Sequence, residues 1–480
     1  MSTEFDRKIH TAITDPRLQL AIYSATGRLM DHRRKAVDPA VLPHYQDLRT
    51  QANAVKKHTL ENLDSYLELF ERRVEDHGGK VIFCKDATEV ADFILGLAKQ
   101  RGAQLIVKSK SMTSEEVDLN ERLEEHQLTA VETDLGEFIT QLAHERPYHI
   151  VAPALHKTRY DVADLFEEKL GVARETEIEK QTMIAREVLR DRFLHADIGI
   201  SGANFLVADS GAVVLVENEG NARLTTSTPR IHIAVAGIEK LIPRMRDLSV
   251  FLKLLGRSAT GQPLTVYTSM LSGPRRDTEV DGPDEFYVVL LDNGRTRLLA
   301  DKDKRESLYC IRCGACLNHC PVYRKIGGHS FPWVYSGPIG AILTPQFMGP
   351  LHEPALPFAS SLCGACAEVC PVKIDIPRIL LDLRAEVNKA ESRDKLNRWE
   401  KLAFRAWSWV MQRPKLYEMT AMMAASVAPR QSGYLNSLPG IFNVGPVRAW
   451  MSQRDLPAPP AHSFRQLWRT RRPRGKREDA

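Results

Sequence analysis

Seven of the eight cysteines in this 480-residue chain fall between Cys310 and Cys370, and no other feature restricts the fold as severely. Thiols packed that closely, in a chain whose first residues read Met1-Ser-Thr-Glu-Phe-Asp-Arg-Lys and show no secretory signal, are expected as metal ligands rather than disulfide partners. They form two runs, Cys310-Ile-Arg-Cys313-Gly-Ala-Cys316-Leu-Asn-His-Cys320-Pro321 and Cys363-Gly-Ala-Cys366-Ala-Glu-Val-Cys370-Pro371. The first has the gaps and the Cys-Pro ending of the two-cluster ferredoxin run, in which three thiolates wrap one iron-sulfur cubane and the fourth reaches the other. By that crossing rule Cys310, Cys313, Cys316 and Cys370 hold the first cluster, and Cys320, Cys363 and Cys366 hold the second. The second run aligns with the first from Cys313 onward, and the position matching Cys310 is Ser360. The second site thus offers three thiolates. It suits a 4Fe-4S cluster with a serine, water or substrate oxygen on one iron, or a 3Fe-4S cluster lacking that iron. Zinc fits poorly, because it closes sets of four ligands on one ion. Cys84 stands alone in an apolar run and reads as a small buried hydrophobe.

The rest of the chain divides around this region. At roughly 150 residues per domain, the length suggests about three folding units. Residues 1–69 read as a polar helical lead-in, with Leu60, Leu63, Leu67 and Leu69 as its apolar stripe. Residues 70–297 alternate apolar runs with amphipathic stretches, which implies crossover units and a parallel sheet, an α/β domain. The expected strands include Lys80–Cys84, Ala103–Val107, Leu128–Val131 and His149–Ala152, then Ile198–Ile200, Phe205–Ala208, Val213–Val216, Ile231–Val235 and Phe286–Leu291. Thr113-Ser-Glu-Glu116 reads as a capping box. Residues 298–389 form the small α-helical, ferredoxin-type two-cluster domain. Residues 390–480 are helical and hold Trp399, Trp407, Trp409, Trp450 and Trp468 with Met419, Met422 and Met423, a density that suggests a surface for another chain or, equally, a cover for the cysteine-rich domain.

The formal charge of +5 lies in the tail, where Ser463–Ala480 carries seven bases and two acids. The remainder is neutral, so nucleic-acid binding is not expected, and the tail reads as a solvated end, with contact to an acidic partner or peripheral contact with a membrane surface as the alternatives. No stretch of 18 apolar residues is present, so no transmembrane segment is expected and the cytoplasm is the default location. There is no G-x-G-x-x-G, and Gly256-Arg-Ser-Ala-Thr-Gly261-Gln262-Pro263 has Gln and Pro where a phosphate loop needs Lys and Ser or Thr. Iron-sulfur clusters accept electrons from a hydride-accepting cofactor rather than removing hydride themselves, so the chain reads as an electron relay with no catalytic residue of its own. Lys108, Asp134, Glu217 and Glu219 sit at expected strand ends and form a candidate polar site, although turn and capping roles account for them equally well. His149 and His156 read as structural.

Lys110-Ser-Met-Thr-Ser-Glu-Glu-Val117, Glu132-Thr-Asp-Leu-Gly-Glu137, Ser201-Gly-Ala-Asn-Phe-Leu-Val-Ala-Asp-Ser-Gly211, Glu217-Asn-Glu-Gly-Asn221, Asp281-Gly-Pro-Asp-Glu-Phe-Tyr287 and both cysteine runs resemble the lactate utilization protein B family over nearly the whole chain. The resemblance implies a lactate-utilization (LUD) domain related to the NagB, RpiA and coenzyme A transferase group, and two 4Fe-4S clusters on the seven cysteines. It also implies two partner proteins: a cysteine-rich lactate-utilization protein, and a small protein with a similar LUD domain. The implied function is electron transfer in a multi-protein L-lactate dehydrogenase system. The alternatives are a redox- or metabolite-sensing module, or the same relay serving another 2-hydroxy acid such as glycolate.

Overall fold

Residues 80–291 build ten strands in the computed structural model: β1 (Lys80–Cys84), β2 (Leu105–Lys108), β3 (Thr129–Glu132), β4 (Ile198–Ser201), β5 (Phe205–Val207), β6 (Ala212–Glu217), β7 (Ile231–Gly237), β8 (Leu241–Ile242), β9 (Tyr267–Leu271) and β10 (Glu285–Leu291). The structure describes residues 4–391, 398–427, 434–435, 451, 456–457 and 464–470. Six strands form the expected parallel sheet in the order β1-β10-β7-β4-β2-β3. Both of its faces are covered, so its central strands are apolar throughout rather than alternating. In β7 every residue is buried, with Ile231, Ile233 and Val235 facing one apolar cluster and Ala234 and Ala236 the other. Each buried Ile or Val there contributes about 1.5–3 kcal/mol.

The closely spaced runs after residue 198 split between two sheets. β5, β6, β8 and β9 form a separate four-stranded sheet in the order β8-β5-β6-β9, antiparallel between β5 and β6 and between β6 and β9. β8 and β9 are absent from the sequence expectations, since one is two residues long and the other, Tyr267-Thr-Ser-Met-Leu271, is a largely exposed edge strand without an apolar run. His149–Ala152 is an irregular turn and not a strand. Its backbone is satisfied locally, because His149 Nδ1 accepts from the N–H groups of Val151 (3.0 Å) and Ala152 (3.2 Å). The capping residue of the helix Met112–Glu116 is Ser111 and not Thr113: the Ser111 hydroxyl accepts from Ser114 N–H at 3.2 Å, and Thr113 lies inside the helix.

The chain divides into two compact units, residues 1–390 and 391–480. The first contains four N-terminal helices, α1 (Glu4–Thr14), α2 (Pro16–Ala36), α3 (Tyr45–Glu61) and α4 (Leu63–Asp76). One continuous core runs from Phe5 and Tyr45 through Leu206 and Ile242 to Leu317, Tyr323 and Leu383, so these helices share their packing with the second sheet and the cysteine-rich region. In the second unit, the helices Arg398–Met411, Pro414–Val427 and Phe464–Thr470 accompany a short antiparallel pair, Tyr434–Leu435 with Leu456–Pro457. Trp407, Trp409, Trp468, Met419, Met422 and Met423 are exposed. The Trp399 side chain and Trp450 lie outside the described residues. Of the basic tail, Arg465 and Arg469 reach Glu418 at 3.4 and 2.8 Å, and the bases from Arg471 onward lie outside the described residues. Among the described residues no helix is long and apolar enough to cross a membrane.

Two buried histidines make the fold acid-sensitive. Burial holds His149, beside Lys110, and His232 at about 3. The unfolded chain takes up these protons near the ordinary value of about 6.5, so the stability is complete above that pH and is lost as the pH falls toward 3. At pH 5 each histidine is expected to cost about 2 kcal/mol relative to pH 7. His232, paired with Ser201 Oγ at 2.8 Å, is the cleaner test. The urea midpoint of His232→Gln should fall less than that of the unaltered chain between pH 7 and pH 5, and an equal fall would refute the assignment.

Candidate metal centre and adjoining cavity

The two cysteine runs fold as copies of one turn-helix unit. Each places two residues in the left-handed region, Arg312 (φ 60°) and Gly314 (φ 71°) in the first, Leu362 (φ 53°) and Gly364 (φ 83°) in the second. Glycine adopts that region freely, whereas Arg312 and Leu362 carry backbone strain of about 1–2 kcal/mol each. Such alternation turns successive N–H groups toward one side, the concave nest that cradles anions and iron-sulfur clusters. The short helices Ala315–His319 and Ala365–Val369 follow, with Cys316 and Cys366 inside them and Cys320 and Cys370 at their ends. Backbone N–H groups of Arg312, Tyr323 and Ile374 each donate to the sulfur of Cys310, Cys320 and Cys370 at 3.4 Å. In the second copy Leu362 N–H donates instead to Ser360 Oγ at 3.2 Å, so the serine hydroxyl stands where the Cys310 sulfur stands in the first.

All seven cysteines are free thiols. Cys310, Cys313, Cys316 and Cys370 line one small cavity walled by Ile150, Ile339, Val372 and Ile374, which brings a thiol of the second run to three of the first. Burial, then the nearby Cys370 and Cys310, pushes the Cys313 thiol up to about 12; burial and Cys310 push Cys370 to about 11. Burial and the neighbouring Cys320 do the same to Cys366, at about 12, while Cys320 is raised by burial and by Cys363. Cys363 is the exposed member, and its thiol is lowered by hydrogen bonds from Ser361 and the Ala365 N–H. Thiols so reluctant to ionise become thiolates when a metal supplies the opposing charge. A single zinc would draw its sulfurs to about 3.8 Å of one another, given bonds of about 2.3 Å. The only group of three or more candidate ligand atoms within 4.8 Å among the described residues is Glu145, His156 and His329, so no three sulfurs come that close. The donor set fits a cage of several irons better than one ion.

Side chains distant in sequence hold these loops. Arg49 donates to the carbonyls of Cys370 (2.9 Å) and Ala367 (3.2 Å), Arg33 to Val369 (3.1 Å) and Asn53 to Val372 (2.8 Å), all from α2 and α3. The first loop is tied to the α/β region by a buried charge network. Arg295 makes a bidentate pair with Glu116, both contacts 2.8 Å, and also bonds Glu239, which meets Arg312 at 3.3 Å. Tyr335 OH donates to Glu116 at 2.6 Å, and Lys56 donates to the Glu239 carbonyl. Gly237 allows this packing, because a Cβ there would overlap the Glu239 carboxylate and the Arg295 guanidinium. No sequence signal marks these residues as partners.

Outside the carboxyl ends of β2, β3 and β4, where open α/β sheets bind ligands, lies a cavity of about 250 Å³. Ile150 and Arg312 line both this cavity and the four-cysteine one. Asp134, Glu217 and Glu219 line it as the strand-end reading anticipates. Lys108 does not: it is buried beneath, donating to Asn120 (2.6 Å) and Glu132 (2.7 Å). Capping accounts for the acids, with Glu217 accepting from Ala222 and Arg223 N–H at 2.9 Å, Asp134 from Glu137 N–H at 3.1 Å and Glu219 from Leu135 N–H at 3.0 Å. Burial and then the charge of Asp134 push Glu219 up to about 7. His149 and His156 are structural in contacts, His149 sharing Nε2 with Asn318 at 3.2 Å and His156 pairing with Glu145 at 2.6 Å. Lys110, Lys240 and Arg312 complete the charged lining, and none of the three is among the four residues expected to form the polar site.

Residues 67–291 match the LUD domain, residues 306–374 a 4Fe-4S dicluster domain, and residues 382–473 the C-terminal domain of lactate utilisation protein B. The chain is 44% identical over 467 residues to lactate utilization protein B of Bacillus thuringiensis (strain Al Hakam), covering 97% of each chain. The proteins of that name from Bacillus cereus (strain AH187) and Bacillus anthracis (strain A0248) match to the same extent. A crystal structure of a DUF162 family protein from Deinococcus radiodurans covers 48% of this chain and 98% of its own at 14% identity, with a TM-score of 0.26, a likeness too weak to build on.

Proposed function

Because the chain belongs to the lactate utilization protein B family, we propose that it is the iron-sulfur electron-transfer component of a multi-protein system oxidising L-lactate to pyruvate. The observation that carries this reading is the meeting of the two runs in one cavity, where Cys370 of the second stands with Cys310, Cys313 and Cys316 of the first. In this reading Cys310, Cys313, Cys316 and Cys370 hold one 4Fe-4S cluster, and Cys320, Cys363 and Cys366 hold the other. Bound there, the clusters supply one-electron transfer. The protein's own residues exclude water from the first site and orient its sulfurs through the backbone N–H bonds. Lactate oxidation releases two electrons and two protons, which a hydride-accepting cofactor on a partner protein would take before passing electrons singly. The exposed tryptophans and methionines of the second unit support docking to such partners, namely the cysteine-rich lactate-utilization protein and the small LUD-domain protein.

The test is cluster reduction by L-lactate, followed spectroscopically in the anaerobic, iron-loaded chain. Reduction should require both partner chains. Lactate oxidation by this chain unaided would overturn the relay, and metabolite binding without sustained electron flow would favour a sensor instead. Ser360, placed like Cys310, is the fourth-ligand position in this reading. Ser360→Cys should therefore keep about eight irons per chain after brief air exposure, where the unaltered chain drops toward about seven. Equal iron loss from both would remove Ser360 from the site.

A further inference from the structure

The cavity beside the first cysteine loop carries a charge arrangement that an electron relay does not need. Three acids and three bases line it, but the two signs are engaged differently. Asp134, Glu217 and Glu219 accept backbone N–H bonds, and Lys110 Nζ donates to the Val151 carbonyl at 2.5 Å. Lys240 and Arg312 are each 8% exposed. The Lys240 Nζ makes no hydrogen bond, and no ion pair within 4.0 Å, among the described residues. Arg312 uses one nitrogen on Glu239 and lies 4.6 Å from the centre of the Tyr335 ring, while its Nη1 is buried without a partner. A buried cationic donor with nothing to donate to costs free energy that an anion would recover.

We propose that this cavity binds a small organic carboxylate, held by Lys240 and Arg312 against the wall shared with the four-cysteine cavity. Its volume of about 250 Å³ lies below the range of about 300–1,000 Å³ typical of drug-sized ligands, so a nucleotide or flavin is too large. A carboxylate suits it better than phosphate, because a doubly charged ion is repelled more strongly by the three acids. Asn204 adds a donor for a neighbouring hydroxyl or keto oxygen, since its Oδ1 is engaged by Val216 N–H at 2.9 Å and its amide nitrogen remains.

The inference concerns binding alone and rests on the lactate reading only for its probes. Pyruvate, L-lactate and inorganic phosphate are titrated calorimetrically into the full-length, anaerobically purified, iron-loaded chain. Pyruvate or L-lactate should saturate a single site. Lys240→Gln should weaken it about tenfold or more, while Lys240→Arg, which keeps the charge, holds it within about threefold and controls for folding. Lys99→Gln, on the exposed surface, should change nothing. The paramagnetic resonance of the reduced first cluster should shift on adding pyruvate to the unaltered chain but not to Lys240→Gln. Absence of saturable carboxylate binding, tighter binding of phosphate, or equal affinity in Lys240→Gln would each overturn the proposal. A changed cluster potential with unchanged affinity would also overturn it, making Lys240 merely a counter-charge to the thiolates. Lactate-driven cluster reduction without binding here would leave the relay standing and remove this site; binding without such reduction would do the reverse.

Discussion

Cys370→Ala is expected to empty the first cluster site although the residue belongs to the second run. Cys370 lines the same cavity as Cys310, Cys313 and Cys316, and its thiol is raised partly by Cys310. Iron should fall from about eight to about four per chain, and the surviving paramagnetic signal should be the one that Cys363→Ala abolishes. Cys363 sits with Cys320 and Cys366, so the two variants should leave complementary spectra. If Cys370→Ala and Cys363→Ala lost the same cluster, the two runs would not cross, and each would hold its own. The backbone is well prepared for the test, because Arg49 grips the carbonyl of residue 370 and not its side chain.

Arg295→Met should be the most destabilising single change in the charge network, at about 3–5 kcal/mol, because it leaves two buried carboxylates without their principal partner. Arg295, Glu116 and Glu239 are all essentially inaccessible to solvent. Burial by itself would push both carboxyls up. The partners together outweigh it: Arg295 with the hydrogen bonds of Asn293 and Tyr335 holds Glu116 below its ordinary value, and Arg295 with Arg312 and Lys240 holds Glu239 at about 2. Stability from Glu239 is therefore complete above about pH 4.5 and is lost as the pH falls toward 2, a window below most of that set by the buried histidines. Adding Glu116→Leu to Arg295→Met should restore part of the loss by removing one orphaned charge. Urea unfolding of the single and double variants measures this. A loss below about 1 kcal/mol in Arg295→Met would mean the network is not held as a desolvated unit.

What could be read from the sequence is what neighbours along the chain decide. The 4Fe-4S dicluster character is legible because Cys310, Cys313, Cys316 and Cys320 lie close together in one short turn-helix unit, and Ser360 stands out because the second unit repeats it. Likewise the apolar runs of β4, β7 and β10 announce a buried parallel sheet, since each central strand must be apolar on both faces. The assignment of runs to two sheets was not legible, because β4 (Ile-Gly-Ile-Ser) and β5 (Phe-Leu-Val) are both short, fully buried runs and what separates them is which strands they pair with. His149–Ala152 looks like a strand until its backbone is seen satisfied by its own imidazole. The grip of Arg49 on Cys370 spans 321 residues, and that of Arg295 on Glu116 spans 179. Neither pairing leaves a periodicity or spacing behind it. Residue order along the chain thus accounts for the metal-binding chemistry and for most of the strands. The cavity that places Lys240 and the free Nη1 of Arg312 against the first cysteine loop comes from packing instead, because burial and long-range charge pairing arise only when separate segments exclude water together.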